Sequence, residues 1–290
     1  MFAITGIVDP VGGVVARVLL AAGLDVRAIV DEAAKGVEWV DQCCEVAVAE
    51  MNDADALLRA FRGVEGVFVL LSANFDPVPG SPESTVSIAA LRHALTSAMP
   101  KRVVCLSTIG AHATQPGTLL QHSTIEREFG SLPMPVAFLR AAWFMESAAS
   151  DIASALVSGA IPSFLFPLGK PVPMVAIADV GRMAARLLRQ DWIGKKIVEI
   201  EGPHRTSPND VAEVFSRLLG RDIRMQPVAR DTWEEVFASQ GMKNSLLHIQ
   251  MLDGLNAGWI DFEFPKNTVK GSVPLEVVVR GLIHHTFETV

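Results

Sequence analysis

The sequence TGIVDPVGG occupies residues 5–13, between a short apolar run and a segment with helical periodicity. Gly6 and Gly12 match two positions of a G-x-x-G-x-x-G loop, whose middle glycine is replaced by Asp9. Such a loop joins a buried strand to the first turn of a helix, and glycine lets the backbone approach a phosphate closely. The free N–H groups and the partial positive charge at a helix N-terminus favour an anion. The stretch therefore predicts a strand–turn–helix unit that binds the pyrophosphate of a dinucleotide.

Asp9 at the middle position of this loop has a second interpretation. Pro10 follows it, and an aspartate before a proline is a favourable pair for the N-cap and first residue of a helix. A capping carboxylate occupies N–H groups that a phosphate needs, and it also repels the phosphate. Two hypotheses therefore stay open: Asp9 simply caps the helix, or its side chain turns away when a coenzyme binds.

Short apolar strands alternate with helical patterns through the first half of the chain. The predicted strands lie at residues 2–5, 26–30, 44–48, 67–71, 102–106 and 136–139. Alternation of this kind requires right-handed crossovers and a parallel sheet. We therefore predict an α/β fold, namely a Rossmann-like, doubly wound, mostly parallel sheet with a smaller α+β C-terminal substrate lobe.

The second half of the chain is less regular. Prolines and glycines are concentrated at 160–175, which predicts a long loop over the sheet. A helix is predicted from 177 to about 190 with Asp179 as its N-cap, followed by a strand at 196–200. These patterns predict a dinucleotide-binding domain at 1–158 and a substrate lobe at 159–290, of which about 174–202 returns to the first sheet.

The composition restricts the classes of partner. The 290 residues carry a net charge of −7, from 25 basic and 32 acidic residues, whereas nucleic-acid binders usually have a basic excess. Three cysteines cannot form a closed set of disulfides, which favours a reducing, cytoplasmic location. No uncharged apolar stretch reaches the ~18 residues of a membrane span. We expect a small-molecule substrate and neither a nucleic-acid nor a membrane partner, and the chain is compatible with a homodimer.

The end of the second predicted strand bears on the choice of coenzyme. Asp31 lies about 20 residues past the glycines, where an acid suits the ribose 2′-hydroxyl of NAD and an arginine suits the 2′-phosphate of NADP. Asp31 therefore favours NAD within the NAD(P) pair. Lys35 is available to meet a phosphate, and an acidic turn exposed to solvent is the alternative interpretation of Asp31.

Several motifs, in the same order along the chain, are similar to those of the NmrA-like branch of atypical short-chain dehydrogenases/reductases. They are Thr5-Gly6 with Gly12-Gly13, Val26 to Val30, Met51-Asn52-Asp53, Leu106 to Gly110, His122-x-x-x-Glu126, Phe138 to Glu146 and Ile177 to Gly181, with Met251 to Gly254 and Gly258 to Phe262 in the tail. That branch includes quinone-reducing and triphenylmethane-dye-reducing enzymes, as well as regulators that sense a coenzyme without turnover. A resemblance of this kind predicts the fold far better than the substrate.

The resemblance implies a set of coenzyme-contacting residues from the loops that follow the strands. They are Gly6, Val8, Asp9, Val11 and Gly12 at the pyrophosphate, Asp31 at the adenosine ribose, Met51 and Asn52 beside adenine, Leu71, Ser72 and Ala73 under the nicotinamide ribose, and Ser107 beside the nicotinamide. Three positions depart from the family pattern. Asp9 replaces the middle glycine, Asp31 replaces an arginine, and Ser147 replaces an asparagine.

The candidate catalytic residues are His122 and Ser107. The chain contains no tyrosine, which excludes the Tyr-x-x-x-Lys relay of most short-chain dehydrogenases. His122 and Glu126 lie on one helix face where relatives place that pair, so His122 is a candidate to supply a proton or to bond the ribose, with Glu126 as its partner. The alternatives are a helix-surface ion pair for these two residues and ordinary strand-end capping for Ser107.

Five apolar side chains are candidates for the substrate site: Trp143, Phe144, Met145, Phe166 and Met174. The first three follow the sixth strand, at the carboxyl edge where open α/β sheets bind ligands, and the other two belong to the proline-rich segment. The alternative is that they form the core between the lobes. No metal site is predicted, because the remaining histidines and cysteines lack ligand spacing.

These observations lead to three hypotheses for function. The first is an NAD(P)H-dependent reductase of a planar acceptor such as a quinone, azo compound or enone, whose reduced product takes a proton from water and needs no tyrosine. The second is a non-catalytic NAD(P)-sensing regulator. The third is a family member that has lost coenzyme binding through Asp9.

Overall fold

The central feature of the computed structural model, which describes residues 1–71, 76, 82–114 and 120–288, is an eight-stranded parallel sheet. Its strands are β1 (Phe2–Ile4), β2 (Val26–Val30), β3 (Glu45–Val48), β4 (Gly66–Val69), β5 (Arg102–Thr108), β6 (Val136–Ala141), β10 (Lys195–Glu201) and β12 (Val269–Lys270). Their spatial order is β12-β10-β6-β5-β4-β1-β2-β3. The order in which successive strands are added reverses beside β1, which is the doubly wound arrangement. The predicted Rossmann-like α/β fold is therefore confirmed.

Helices connect these strands and continue into the C-terminal part of the chain. They are α1 (Pro10–Ala21), α2 (Val37–Asp41), α3 (Ala54–Phe61), α4 (Pro82–Ala98), α5 (Leu120–Phe129), α6 (Ile152–Val157), α7 (Ile177–Leu188), α8 (Pro208–Leu219), α9 (Trp233–Ser239), α10 (Leu246–Ala257) and α11 (Leu275–Glu288), with 3-10 turns at Ala33–Gly36, Met145–Asp151 and Arg230–Thr232.

Both faces of the main sheet are covered, because its strands alternate apolar side chains between two cores. Phe2 and Ile4 of β1 belong to the core under α1 and α7, whereas Ala3 belongs to the core under α3, α4 and α5. The close packing of α1 on α7 depends on Gly181, because a Cβ at that position would overlap the side chain of Val14. The glycine loop is therefore held between a buried strand and a buried helix.

Two small parallel sheets belong to the second half of the chain. β7 (Trp143–Phe144) pairs with β9 (Met174–Val175), and β8 (Ala160–Ser163) pairs with β11 (Arg224–Pro227). The prediction of a long loop at 160–175 was therefore wrong at both ends, where the chain forms β8 and β9. Pro162 is exposed in β8, and proline is tolerated in a strand at a sheet edge, where its missing N–H costs no ladder bond.

The predicted N-cap of α7 was also wrong. The cap is Ala176, and Asp179 lies three residues later, where its buried carboxylate accepts hydrogen bonds from the backbone N–H groups of Ser272 and Val273. Glu146 instead accepts the N–H of Ile177 at the start of the helix, at 2.9 Å. A distant segment supplies the cap, and Asp179 is used to anchor the chain that follows β12.

The chain returns to the main sheet twice after residue 159, as β10 and as β12. Two further apolar clusters are present in the described part of the chain. One surrounds Phe215 and takes residues from Met145 to Val279, and the other surrounds Trp233. The division into a domain at 1–158 and a lobe at 159–290 stays a prediction.

Candidate coenzyme and substrate site

The loop after β1 lies at the point where the order of the strands reverses. Thr5 is fully buried there, and its hydroxyl lies within hydrogen-bond distance of the carbonyls of Phe68 and Leu70 and accepts the N–H of Leu70 at 2.9 Å. These bonds join the ends of β1 and β4, the two strands that bound the crevice where open sheets of this kind bind ligands. Gly6 follows with φ 61°, a left-handed conformation that favours glycine.

Asp9 caps α1, as one of the two hypotheses predicted. Its Oδ1 accepts the N–H of Val11 at 3.1 Å, and Pro10 is the first helical residue. Burial raises the pKa of the Asp9 carboxyl above its ordinary value, and the hydrogen bond from Val11 opposes this shift. Asp9 is thus a partly buried acid that is easier to protonate than an exposed one, placed at the positive end of the helix.

The backbone of this loop suits a dinucleotide, whereas the Asp9 side chain competes with one. A Cβ on Gly12 would overlap the carbonyl oxygen of Gly6, so the loop and the helix touch through backbone alone. Val11 is buried against the core and Val8 is 56% exposed, which leaves the outer side of the turn open. A diphosphate fits this backbone if Asp9 releases the Val11 N–H or takes up a proton.

The loops after β2 and β3 contain the residues predicted to contact adenosine. Asp31 is exposed and forms an ion pair with Lys35 at 2.6 Å, and the hydrogen bond from Lys35 lowers the pKa of Asp31. Met51 is half-buried and Asn52 is exposed. The Asp31–Lys35 pair combines an acid for a ribose hydroxyl with a cation for a phosphate, so the geometry of this turn favours neither NAD nor NADP.

Two of the residues predicted to lie under the nicotinamide ribose fall outside the described part of the chain. These two residues are Ser72 and Ala73. Leu71 is half-buried at the end of the β4 segment and packs against the core on the α3 and α4 side. Its role toward the coenzyme stays a prediction.

A buried charge cluster lies behind Ser107. The serine is 2% exposed, and its hydroxyl donates to Oε1 of Glu126 at 2.6 Å. Arg140 of β6 donates to the same carboxylate through Nε at 2.9 Å and Nη2 at 2.7 Å, and it also bonds Glu199 and Glu263. Burial by itself lowers the pKa of Arg140, but the bonds to Glu126 and Glu263 outweigh it and hold that pKa above its ordinary value. Ser107 is therefore oriented by the Glu126–Arg140 ion pair.

The predicted partnership of His122 with Glu126 was wrong. Glu126 is committed to Ser107 and Arg140, and Nδ1 of His122 is buried without a hydrogen-bond partner in the described structure. Burial lowers the pKa of His122 to about 4, although the charge of Glu126 opposes the shift. The imidazole is thus neutral at neutral pH, which disfavours it as a proton donor and leaves it able to form a hydrogen bond.

Sequence reasoning missed the roles of Arg140, Glu199 and Glu263. The available signal was a charged residue within each of two strand patterns, Arg140 in β6 and Glu199 in β10. Charged side chains are almost never fully buried unless they are paired, so each of these residues indicated a buried partner. The register that sets Arg140 opposite both Ser107 and Glu199 comes only from the sheet.

A cavity of about 190 Å³ opens beyond the carboxyl end of β6. Trp143 and Met174 line it, and the indole N–H of Trp143 donates to the Ser147 hydroxyl at 2.7 Å. Ser147, the residue that departs from the family's asparagine, therefore positions the aromatic wall. An apolar cavity of about 150 Å³ accommodates benzene, so this volume suits a ligand of one or two rings.

Three of the five predicted substrate residues are not among the described residues that line this cavity. Phe144 follows Trp143 in β7 and packs against the main core. Met145 is 1% exposed inside the core around Phe215. Phe166 is 60% exposed. The core interpretation therefore holds for Phe144 and Met145, and the five side chains do not form one pocket.

A family model for the NmrA-like family matches residues 3–270. The chain belongs to the NmrA-like family. The resemblance inferred from the motifs is thereby confirmed.

The NmrA-like relatives of this chain include reductases. The NAD(P)H azoreductase of Xenophilus azovorans is 25% identical over 250 residues, which cover 85% of this chain and 83% of the relative. Quinone oxidoreductase 2 of Escherichia coli is 22% identical over 249 residues, covering 85% and 84%.

Solved structures of similar fold agree over nearly the whole chain. The Citrobacter sp. triphenylmethane reductase complexed with NADP(H) has a TM-score of 0.81 at 21% identity, covering 97% of this chain and 99% of its own. The Escherichia coli NADPH-dependent quinone oxidoreductase complexed with NADPH also has a TM-score of 0.81, at 20% identity, covering 99% and 100%. Both carry the phosphorylated coenzyme, so these relatives do not support the preference for NAD that Asp31 suggested.

No helix in the described part of the chain is both long enough and apolar enough to span a bilayer.

Proposed function

We propose that this NmrA-like protein is an NAD(P)H-dependent oxidoreductase that transfers hydride to a planar acceptor such as a quinone, an azo compound or an enone. The observation that supports this most directly is the shared sheet edge. The glycine loop after β1, Ser107 at the end of β5 and the aromatic wall at Trp143 beyond β6 all lie at the carboxyl ends of parallel strands. Ligands of open α/β sheets bind at that edge.

In this proposal the chain's own residues bind and orient. The N-terminus of α1, with Gly6, Val11 and Gly12, holds the diphosphate, and Asp31 meets the adenosine ribose. Ser107, fixed by Glu126, lies beside the nicotinamide. The dihydronicotinamide supplies the hydride when it is bound.

The proton of the reduced product is the remaining requirement. The chain has no tyrosine, and because burial lowers the pKa of His122 to about 4, that imidazole is not a protonated acid at neutral pH. A carbonyl reduced to an alkoxide needs a positioned acid. A hydroquinone or hydrazine product spreads its charge and takes its proton from water, so the acceptors named above are the ones this site suits. His122 then serves as a hydrogen-bonding group.

Calorimetric titration with NAD, NADH, NADP and NADPH tests the first half of the proposal, and oxidation of NADH and NADPH against a panel of quinones and azo dyes tests the second half. We expect at least one reduced coenzyme to bind and at least one acceptor to be turned over. The absence of turnover with either coenzyme, at high protein concentration and across the panel, would refute the assignment as a reductase.

The Asp9 cap favours a second candidate function, in which this chain has lost coenzyme binding. The carboxylate already occupies the Val11 N–H in the position that a phosphate oxygen would take. Thermal unfolding distinguishes the two candidates, because a ligand that binds only the folded state raises the apparent stability. Loss of coenzyme binding predicts no rise with any of the four dinucleotides, whereas the reductase predicts a rise with at least one.

A further inference from the structure

The cavity beyond β6 contains one acidic side chain that the proposed hydride transfer does not use. Asp151 ends the 3-10 turn Met145–Asp151 and lines the cavity together with uncharged residues. Among the other described residues that line it are Trp143, Ser147, Ser150, Phe164, Ser207 and Leu252. Asp151 is the charged group of this set.

The serines around Asp151 are already engaged within the protein. Ser147 accepts the indole N–H of Trp143, and Ser150 donates to the Ser147 carbonyl. Ser163 donates to the carbonyl of Leu165, and Ser207 belongs to the capping box of α8. None of them bonds Asp151.

The carboxylate of Asp151 has neither a hydrogen bond nor an ion pair among the described residues. Asp151 is the residue just before α6, at the N-cap position, but it does not cap the helix, since no backbone N–H is donated to its side chain. Burial raises the pKa of Asp151 to about 6, and no partner opposes that shift. A partly buried carboxylate without a partner is costly, and proteins retain such groups at sites where a ligand supplies the partner.

The chemistry of the cavity defines the ligand that compensates this cost. A planar ring packs against Trp143, Phe164 and Leu252, because aromatic and aliphatic walls bury apolar surface without requiring hydrogen bonds. A cationic or N–H-bearing group on that ring pairs with the Asp151 carboxylate, since charge-assisted hydrogen bonds are the strong ones. An anionic group at the same place meets a like charge inside apolar walls.

We propose that Asp151 is a specificity residue, which selects planar aromatic ligands that carry a positively charged nitrogen, such as an amidinium or ammonium group, and rejects anionic ones. That such a ligand is also the acceptor in hydride transfer rests on the proposed function. Binding in the cavity does not, because no coenzyme is needed to form it.

Binding of three matched probes to the full-length protein without coenzyme tests the proposal. Benzamidine, benzamide and benzoate have nearly the same size and differ in charge, being cationic, neutral and anionic. We expect calorimetry or ligand-detected NMR at pH 8 to show benzamidine binding at least tenfold more tightly than benzamide, with benzoate the weakest. Equal affinities for the three probes would overturn the proposal.

Two variants and a control locate the effect. Asp151→Asn keeps the side-chain size and removes the charge, and we expect it to bind benzamidine and benzamide equally. Asp151→Ser is a second variant with the same expected result. Asp55→Asn removes an exposed acid on α3 and should keep the wild-type preference. A cation preference that survives in either Asp151 variant would contradict the assignment.

A kinetic comparison separates this inference from the reductase function. A 1,4-naphthoquinone with an ammonium side chain is compared with 1,4-naphthoquinone-2-sulfonate as the acceptor. We expect kcat/KM to favour the cationic quinone at least tenfold in the wild type, and this ratio to collapse in Asp151→Asn. Benzamidine selectivity without turnover of any acceptor refutes only the reductase, whereas turnover of both quinones without discrimination refutes only the role of Asp151.

Discussion

Removing the charge of Asp9 is expected to tighten coenzyme binding. In Asp9→Asn the amide oxygen still accepts the Val11 N–H, because asparagine and aspartate cap helices equally well. The variant therefore leaves α1 intact and removes only the negative charge beside the diphosphate. Asp9→Gly removes the cap as well, at a cost of a few tenths of a kcal/mol in stability.

The size of the effect follows from the geometry of the cap. Oδ1 lies 3.1 Å from the Val11 nitrogen, so a phosphate oxygen that bonds this N–H displaces the Asp9 carboxylate. The displaced carboxylate remains close to the phosphate, because Asp9 is part of the same loop. Two unit charges about 5 Å apart at an effective dielectric of about 20 repel by about 3 kcal/mol. Screening by salt reduces this to about 1–3 kcal/mol, which corresponds to about 5- to 150-fold in the dissociation constant.

The pH dependence of the dissociation constant gives an independent measurement. The pKa of Asp9 is already raised by burial, and a bound diphosphate favours the neutral acid further. The complex therefore takes up a proton, and the affinity of the wild type increases as the pH falls toward the pKa of Asp9. In Asp9→Asn this contribution disappears and the affinity depends less on pH.

Calorimetric titration with the four dinucleotides, at two pH values, checks both effects. Asp210→Asn is the matched control, since it removes a carboxylate from the N-terminal turn of a different helix, α8, and should leave coenzyme affinity unchanged. If Asp9→Asn binds no more tightly than the wild type, the carboxylate does not oppose the coenzyme and the electrostatic reasoning fails. If only the variant binds, the hypothesis of lost coenzyme binding is supported.

Three further predictions concern stability. Asp151→Asn should raise the free energy of unfolding by about 1–3 kcal/mol at pH 8 and not at pH 4. The reason is that the pKa of Asp151 is raised from 3.8 to about 6 in the folded protein, so the wild type loses stability as the pH rises between these two values. Equal denaturation midpoints of variant and wild type at pH 8 would contradict this. Gly12→Ala should lower it by at least about 2 kcal/mol, because the methyl group overlaps the backbone oxygen of Gly6, and wild-type urea resistance would argue against that contact. Glu126→Gln should lower the free energy of unfolding by about 2–4 kcal/mol, since it removes the charge of a buried partner of Arg140. Breaking the exposed Arg217–Glu213 ion pair within α8 should lower it by less than about 1 kcal/mol, and similar losses from both would show that burial of the cluster is unimportant.

The features that the sequence alone determined are those set by near neighbours along the chain. Alternation of apolar strands with helical patterns, with the loop at residues 5–13, was enough to predict the Rossmann-like sheet. The Asp9 cap was also predictable, because the side chain bonds an N–H only two residues away. Interactions of this range depend on residue type and spacing, whatever the rest of the chain does.

Tertiary structure alone decided which distant groups meet. Spacing of four residues suggested that Glu126 would pair with His122, yet strand register places Ser107 and Arg140 against that carboxylate instead. Asp179 looked like a cap and proved to anchor a segment more than ninety residues later. The cavity around Asp151 likewise combines segments far apart in sequence. Glu126 and Asp179 pair with the partners that the packed sheet and helices bring within reach, because leaving a buried charge unpaired is costly, and those partners are not encoded in the local spacing.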